Sequence, residues 1–206
     1  RKTGLAGQII ALTLYKLLLN TGRRFVYPFA PALSRGLDVP LTAVTSIIAT
    51  GQMTSLLGLL SGPLADRLGY RMVMRAGLVM LAAGMLLCGL VPTYWPVFLG
   101  LVIASFGKTL FDPAIQAFIG KNVPFERRGR IVGVVETAWA GSTLIGIPAF
   151  GLIIDHVGLR SSFFLFALLG AVGWFSISRI LPPDEQKNVE KERTPGLFAI
   201  LGQLLR

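Results

Sequence analysis

Several ionisable and polar side chains sit inside long apolar stretches of this chain, where chemistry is most constrained. One stretch holds Lys16, Asn20, Arg23, Arg24 and Tyr27, a second Lys108, Asp112 and Gln116, and a third Glu136, Trp139 and Thr143. Helical spacing puts Asn20, Arg24, Tyr27 and Pro31 on one face, Lys108, Asp112 and Gln116 on another, and the third set roughly on one face of its own. Charges in apolar helices are costly, so they face a partner or a water-filled cavity. Two kinds of chemistry follow. Arg24 and Lys108 suit contact with an anionic or polar solute, and Glu136 or Asp112 suits proton uptake and release. The structural alternative is ion pairing, such as Arg23 or Lys108 with Asp112 or Glu136, which would fix helix packing. Adjacent Arg23 and Arg24 point about 100° apart, so they are not expected to face the same way. Trp139 either stacks on a solute or, as the commoner case, faces lipid or core.

Other chemistry finds little support. His156 is the only histidine, and Ser161 and Ser162 near it form no nucleophile–base constellation. Cys88 is the only cysteine and reads as a core filler. No metal centre, cofactor or enzyme activity is expected. The formal charge of +10 would suggest nucleic acid in a soluble protein. Here the charges sit at helix ends and in the positions above, so no nucleic-acid partner is expected.

The elements that must hold these residues are transmembrane helices. The 206 residues are 53% hydrophobic and 15% charged, with a mean hydropathy of +0.66. A run of about 20 apolar residues spans a bilayer as a helix, and lipid forces every backbone group to be satisfied within its own segment. Six runs fit, at about 9–33, 41–62, 72–91, 94–119, 131–154 and 162–181, giving an all-α bundle over 1–181. Arg1 and Lys2 imitate a signal peptide, but Lys16, Arg23 and Arg24 interrupt the run, so a retained first span is expected. Beginning at Arg1, the chain reads as a fragment. Pro28, Pro31, Pro113 and Pro148 are candidate helix bends, and Gly51, Ser55, Gly58 and Gly62 form a small-residue packing stripe. Residues 182–206 begin with Pro182 and Pro183 and a charged stretch, a cytoplasmic linker before a short helix opened by Pro195.

Arg67, Arg71 and Arg75 lie between spans two and three, and Lys121, Arg127, Arg128 and Arg130 between spans four and five. The opposite side carries only Arg35 and Arg160, so the basic loops and both ends of the chain are expected in the cytoplasm. Tyr94 and Trp95 suit the outer aromatic belt. A repeat joins the two halves. Gly62-x3-Asp66-x2-Gly69-x-Arg71 follows span two, and Gly151-x3-Asp155-x2-Gly158-x-Arg160 follows span five. Three helices separate the copies, which predicts opposite sides of the membrane and a 3+3 inverted-topology repeat.

The first copy, with Arg67, resembles the signature loop of the major facilitator superfamily between its second and third helices. Glu126-Arg127-Arg128-Gly129-Arg130 is similar to the second cytoplasmic loop of the same half. The resemblance covers roughly residues 5–206 and implies the N-terminal six-helix half of a transporter, closest to bacterial drug and metabolite efflux members. It implies a small-molecule substrate, coupling to protons or another ion, alternating access, a C-terminal six-helix half as partner, and the bacterial inner membrane as location. It also gives the loop residues Gly62, Asp66, Arg67, Gly69, Arg71 and Arg130 a gating role, with spans one, four and five lining the central cavity. Two departures stand out. Lys121 occupies the place where the family often has an acid completing a charge relay with the loop. The fifth-span antiporter motif survives only as Ile147-Pro148-Ala149-Phe150-Gly151-Leu152. Glu136 favours proton-coupled efflux, and Arg23 with Arg24 favours uptake or exchange of an anionic metabolite. A non-transporting scaffold or receptor is the alternative of another class, disfavoured by the intramembrane charges.

Overall fold

The computed structural model describes residues 4–58, 65 and 68–183, and every described element is helical. Gly62, Asp66 and Arg67 of the signature loop, and the linker with its expected short helix at 184–206, lie outside the described residues. Helix α1 is Leu5–Arg24, α2 Ala30–Leu37 and α3 Leu41–Met53, which tightens into a 3-10 turn at Thr54–Leu57. Helix α4 is Tyr70–Leu90, α5 Tyr94–Asn122, α6 Phe125–Gly141, α7 Ile147–Val157 and α8 Leu159–Ile180. A π turn, Ser142–Gly146, joins α6 to α7.

Four stretches among the described residues are long and apolar enough to cross a membrane: Tyr70–Leu90, Tyr94–Asn122, Phe125–Val157 and Leu159–Ile180. The expected first span is two helices instead. Pro28 has no N–H for the Arg24 carbonyl, which accepts from Tyr27 N at 3.1 Å, and Pro31 sits in the first turn of α2. Pro148 is handled differently. It enters the first turn of α7, and the preceding π turn absorbs the mismatch, so the helix runs on. Pro113 lies inside an unbroken α5.

The basic residues expected in loops are mostly helical. Arg71 and Arg75 stand in the first turns of α4, and 126–130 form the first turns of α6. The link between α5 and α6 shrinks to Val123 and Pro124. Pro124 is the N-cap of α6, and Glu126 complements the positive end of its dipole. Arg128 then caps the previous helix, donating to the carbonyls of Val123 (3.0 Å) and Gly120 (2.6 Å). Lys121, expected to break a charge relay, lies in the last turn of α5 with its ammonium 5.8 Å from the centre of the Tyr70 ring.

Helix α4 packs along both α5 and α8. Its contact with α5 rests on two glycine pairs. A Cβ on Gly77 would come within 2.6 Å of the Gly107 carbonyl oxygen, and one on Gly84 would overlap that of Gly100. The reverse clashes hold for Gly107 and Gly100, so two antiparallel helices touch backbone to backbone at two levels. The predicted stripe on the second span is a looser version. Gly51 faces the Ser105 side chain and Gly58 faces Thr109.

Helices α4 and α8 run antiparallel and cap one another. Arg71, at the start of α4, donates to the Ser178 carbonyl near the end of α8. Arg160, at the start of α8, donates to the carbonyls of Gly89 (2.7 Å) and Leu90 (3.5 Å) at the end of α4. Each arginine follows a glycine N-cap with positive φ, 89° at Gly69 and 94° at Gly158. The two copies of the sequence repeat thus do the same work at opposite ends of one helix pair.

Gly84→Val should lower the thermal unfolding midpoint of the purified protein, because the backbones must separate. The expected loss is about 1–3 kcal/mol. Gly120→Ala, where an added Cβ meets nothing within 4 Å, should not lower the midpoint.

Candidate functional site

Helix α1 is the hub of the polar centre. Close packing brings it against the α6–α7 helix: Gly141 lies against Leu17, and Gly146 against Thr21. That register sets Lys16 beside Glu136. The ammonium donates to Oε1 at 2.5 Å. The pair is asymmetric, since the Lys16 side chain is 6% exposed and that of Glu136 48%. Eight residues further along α1, Arg24 reaches the same neighbour. It donates to Thr143 Oγ1 (2.7 Å), to the Trp139 carbonyl (3.4 Å) and to Ser142 Oγ (3.5 Å). Its guanidinium also lies 4.5 Å from the centre of the Trp139 ring.

Arg23 turns to the other side. One of its terminal nitrogens donates to the Gly51 carbonyl (3.2 Å), Gln52 Oε1 (2.8 Å) and Ser55 Oγ (2.5 Å). The amide of Gln52 in turn donates to the Tyr27 hydroxyl at 2.5 Å. Lys108 and Asp112, one turn apart on α5, pair with each other. Asp112 Oδ1 is buried without a hydrogen-bond partner among the described residues.

These groups border a recess of about 770 Å³ lined by Asn20, Arg23, Arg24, Tyr27, Pro28, Gln52, Ser55, Lys108, Trp139, Thr143 and Ile147. Three points go beyond the sequence expectations. Arg23 and Arg24 both line the recess. Their 100° divergence sends one to α3 and the other to the α6–α7 helix, so they flank the space instead of facing apart. Trp139, whose commoner reading was lipid or core, is half-exposed beside the arginine. Helix α3 and its 3-10 turn join the lining through Gln52 and Ser55, neutral residues that the charge pattern does not mark. Glu136 and Asp112 hold lysines at the margin, and neither is among the lining residues. Gln116 is exposed on α5, and Arg130 is exposed in α6; neither lines the recess. Of the signature-loop residues, Gly69 and Arg71 take up the helix-capping geometry given above.

The model of the Major Facilitator Superfamily matches residues 12–206. The chain belongs to that superfamily. It is an integral membrane protein, as the apolar helices require. Among curated relatives, an uncharacterized MFS-type transporter, YwfA, of Bacillus subtilis is 27% identical over 159 residues, covering 76% of this chain and 38% of the relative. The methylenomycin A resistance protein of Streptomyces coelicolor is 28% identical over 188 residues, 90% of this chain and 38% of the relative. Multidrug resistance protein MdtH of Sodalis glossinidius is 33% identical over 116 residues, 56% of this chain and 27% of the relative. The chain therefore spans well under half the length of these relatives.

Glu136→Leu strands the buried Lys16 ammonium, and Lys16→Met with Glu136→Leu removes both charges. The single variant should be the less stable of the two in thermal unfolding, by on the order of 1–3 kcal/mol. Equal stabilities would mean the pair does not hold α1 to α6.

Proposed function

We propose that the full-length protein is a secondary active transporter that moves a small solute by alternating access, and that this chain is its N-terminal six-helix half. The observation that carries the reading is the polar recess itself: Arg23, Arg24 and Lys108 line it, with the Lys16–Glu136 pair and Asp112 at its margin, in an otherwise apolar bundle. A membrane anchor or scaffold has no use for such a cluster, since each charge costs stability. The mutual capping of α4 and α8 by Arg71 and Arg160 supports a 3+3 inverted repeat, because equivalent residues sit at opposite ends of one antiparallel pair. The domain reading follows: 1–181 as the bundle, 182–206 as the link to a second half across the recess. In this reading both ends of the chain lie in the cytoplasm, and the protein sits in the lipid bilayer of a bacterial inner membrane.

Proton-coupled efflux is the form of transport favoured here. Relatives named for multidrug and methylenomycin A resistance support the direction. The Lys16–Glu136 pair supplies a proton switch. Glu136 is half-exposed and can exchange a proton with water, while Lys16 is buried and depends on the carboxylate charge. Protonation of Glu136 ends the ion pair and frees Lys16 to seek another acceptor, which alters the contact between α1 and the α6–α7 helix. The two protonation states therefore prefer different helix arrangements, as alternating access requires. Asp112, paired with Lys108, is the second candidate. The signature-loop residues Gly62, Asp66, Arg67, Gly69 and Arg71, with Arg130, keep the proposed gating role. The protein carries out no covalent chemistry in this reading.

Glu136→Gln in the full-length protein should abolish solute movement driven by a pH gradient while leaving downhill exchange of the same solute in proteoliposomes. A pH dependence identical to the parent protein's would remove Glu136 from coupling.

A further inference from the structure

We infer that the recess takes an organic anion, a carboxylate, sulfonate or phosphate carried on an apolar body. This deepens the transporter reading and rests on it. The inference comes from the charge balance of the polar centre. Glu136 is taken by Lys16 and Asp112 by Lys108. No described carboxylate lies within ion-pair distance of Arg23 or Arg24. Arg23 is held by a backbone carbonyl, an amide oxygen and a hydroxyl. Arg24 is held by a carbonyl, two hydroxyls and an indole face. Two positive charges thus face one recess without an ion-pair partner of their own: dipoles hold both, and the Asp112 carboxylate acts on Arg23 only from beyond ion-pair distance.

Asn20 is a second, independent sign. It lines the same recess and is 1% exposed, yet its Nδ2 has no acceptor among the described residues. A buried amide donor left unpaired is costly, and a ligand oxygen would recover that cost. Asn20 and the two guanidiniums make a set of donors around one space, and Lys108 adds an ammonium at its edge. A planar or tetrahedral oxyanion answers that set, since arginine's fork matches such groups with paired hydrogen bonds. The apolar body has its own surface. Trp139 and Tyr27 are 59% and 43% exposed, and the volume of about 770 Å³ admits a drug-sized molecule. A cationic solute would meet like charge on both sides of the recess.

The experiment uses the purified full-length protein and three probes of one shape: 1-naphthoate, 1-naphthamide and 1-naphthylmethylammonium. Binding is read by calorimetric titration and by the thermal unfolding midpoint. Naphthoate should bind and raise the midpoint, and the neutral and cationic probes should not. Arg24→Gln should weaken naphthoate by about tenfold or more, and Arg24→Lys should restore part of the loss. If Arg24→Gln fails to fold, Asn20→Ala and Arg23→Gln serve the same comparison. Cationic binding equal to or above that of naphthoate overturns the inference, as it would if the second half supplied acids to the arginines. Absence of naphthoate binding, or unchanged affinity in the folded variants, overturns it as well. Counterflow of a solute panel in proteoliposomes tests the transporter reading separately. Transport of cations with no anion binding would sink this inference and leave that reading standing, and anion binding without any transport would do the reverse.

Discussion

The whole arrangement answers to one constraint: three cations on a single apolar helix must each find a partner. Lys16, Arg23 and Arg24 reach neighbours on two sides of α1, and an unpaired charge in such surroundings is far more costly than any single packing contact. Lys16 and Arg24 require the α6–α7 helix on one side, and Arg23 requires α3 on another. The register of α1 against its neighbours is thereby fixed by hydrogen bonds whose loss would be felt at once. Apolar side chains alone would allow sliding by a turn. The glycines at 141 and 146 are the counterpart on the facing helix, since only a bare backbone lets α1 come close enough for these side chains to reach.

The same constraint explains where regular helix stops. Helix α1 ends immediately after Arg24, and the α6–α7 helix loosens into a π turn beginning at Ser142, next to Thr143, the residue that Arg24 holds. Irregular backbone at membrane depth is tolerated only where it is buried in protein or lines a watery space. Both irregularities adjoin the recess, and both are induced by proline, Pro28 with Pro31 in one case and Pro148 in the other. The prolines thus act at the level of the cations, where local departures from the helix can still find polar partners.

How much of this can be read from the sequence depends on whether the determinant is local. The charged positions in α1, α5 and α6 stand out because charge is rare there, and three of them, Arg23, Arg24 and Lys108, line one recess. The Gly69–Arg71 and Gly158–Arg160 repeats stand out because a positive φ and a helix cap leave a short, fixed spacing. The glycine pairs 77 with 107 and 84 with 100 do not. Their meaning lies in two helices meeting at a chosen register, and neither helix alone records it. Gln52, Ser55, Ser142 and Thr143 escape notice for a different reason, since neutral polar residues are common in membrane helices and only the arginine reach identifies them. The divergence of Arg23 and Arg24 follows from their adjacency, but a long side chain turns divergence at the backbone into convergence around a space.

The bundle joins two kinds of contact with unequal tolerance for movement. On one side α4 touches α5 backbone to backbone through glycines and is tied to α8 by an arginine at each end. Such packing has one good solution, because displacing it opens a void or exposes helix-end carbonyls. On the other side α1, α3 and the α6–α7 helix meet through side-chain hydrogen bonds and ion pairs, whose partners can be exchanged for water, for a ligand or for a proton at modest cost. A body that is to rock as a unit while its inner surface rearranges needs this division. If alternating access operates here, the glycine-packed layer is the part that must stay rigid, and the cations of α1 are the part that must be free to change partners.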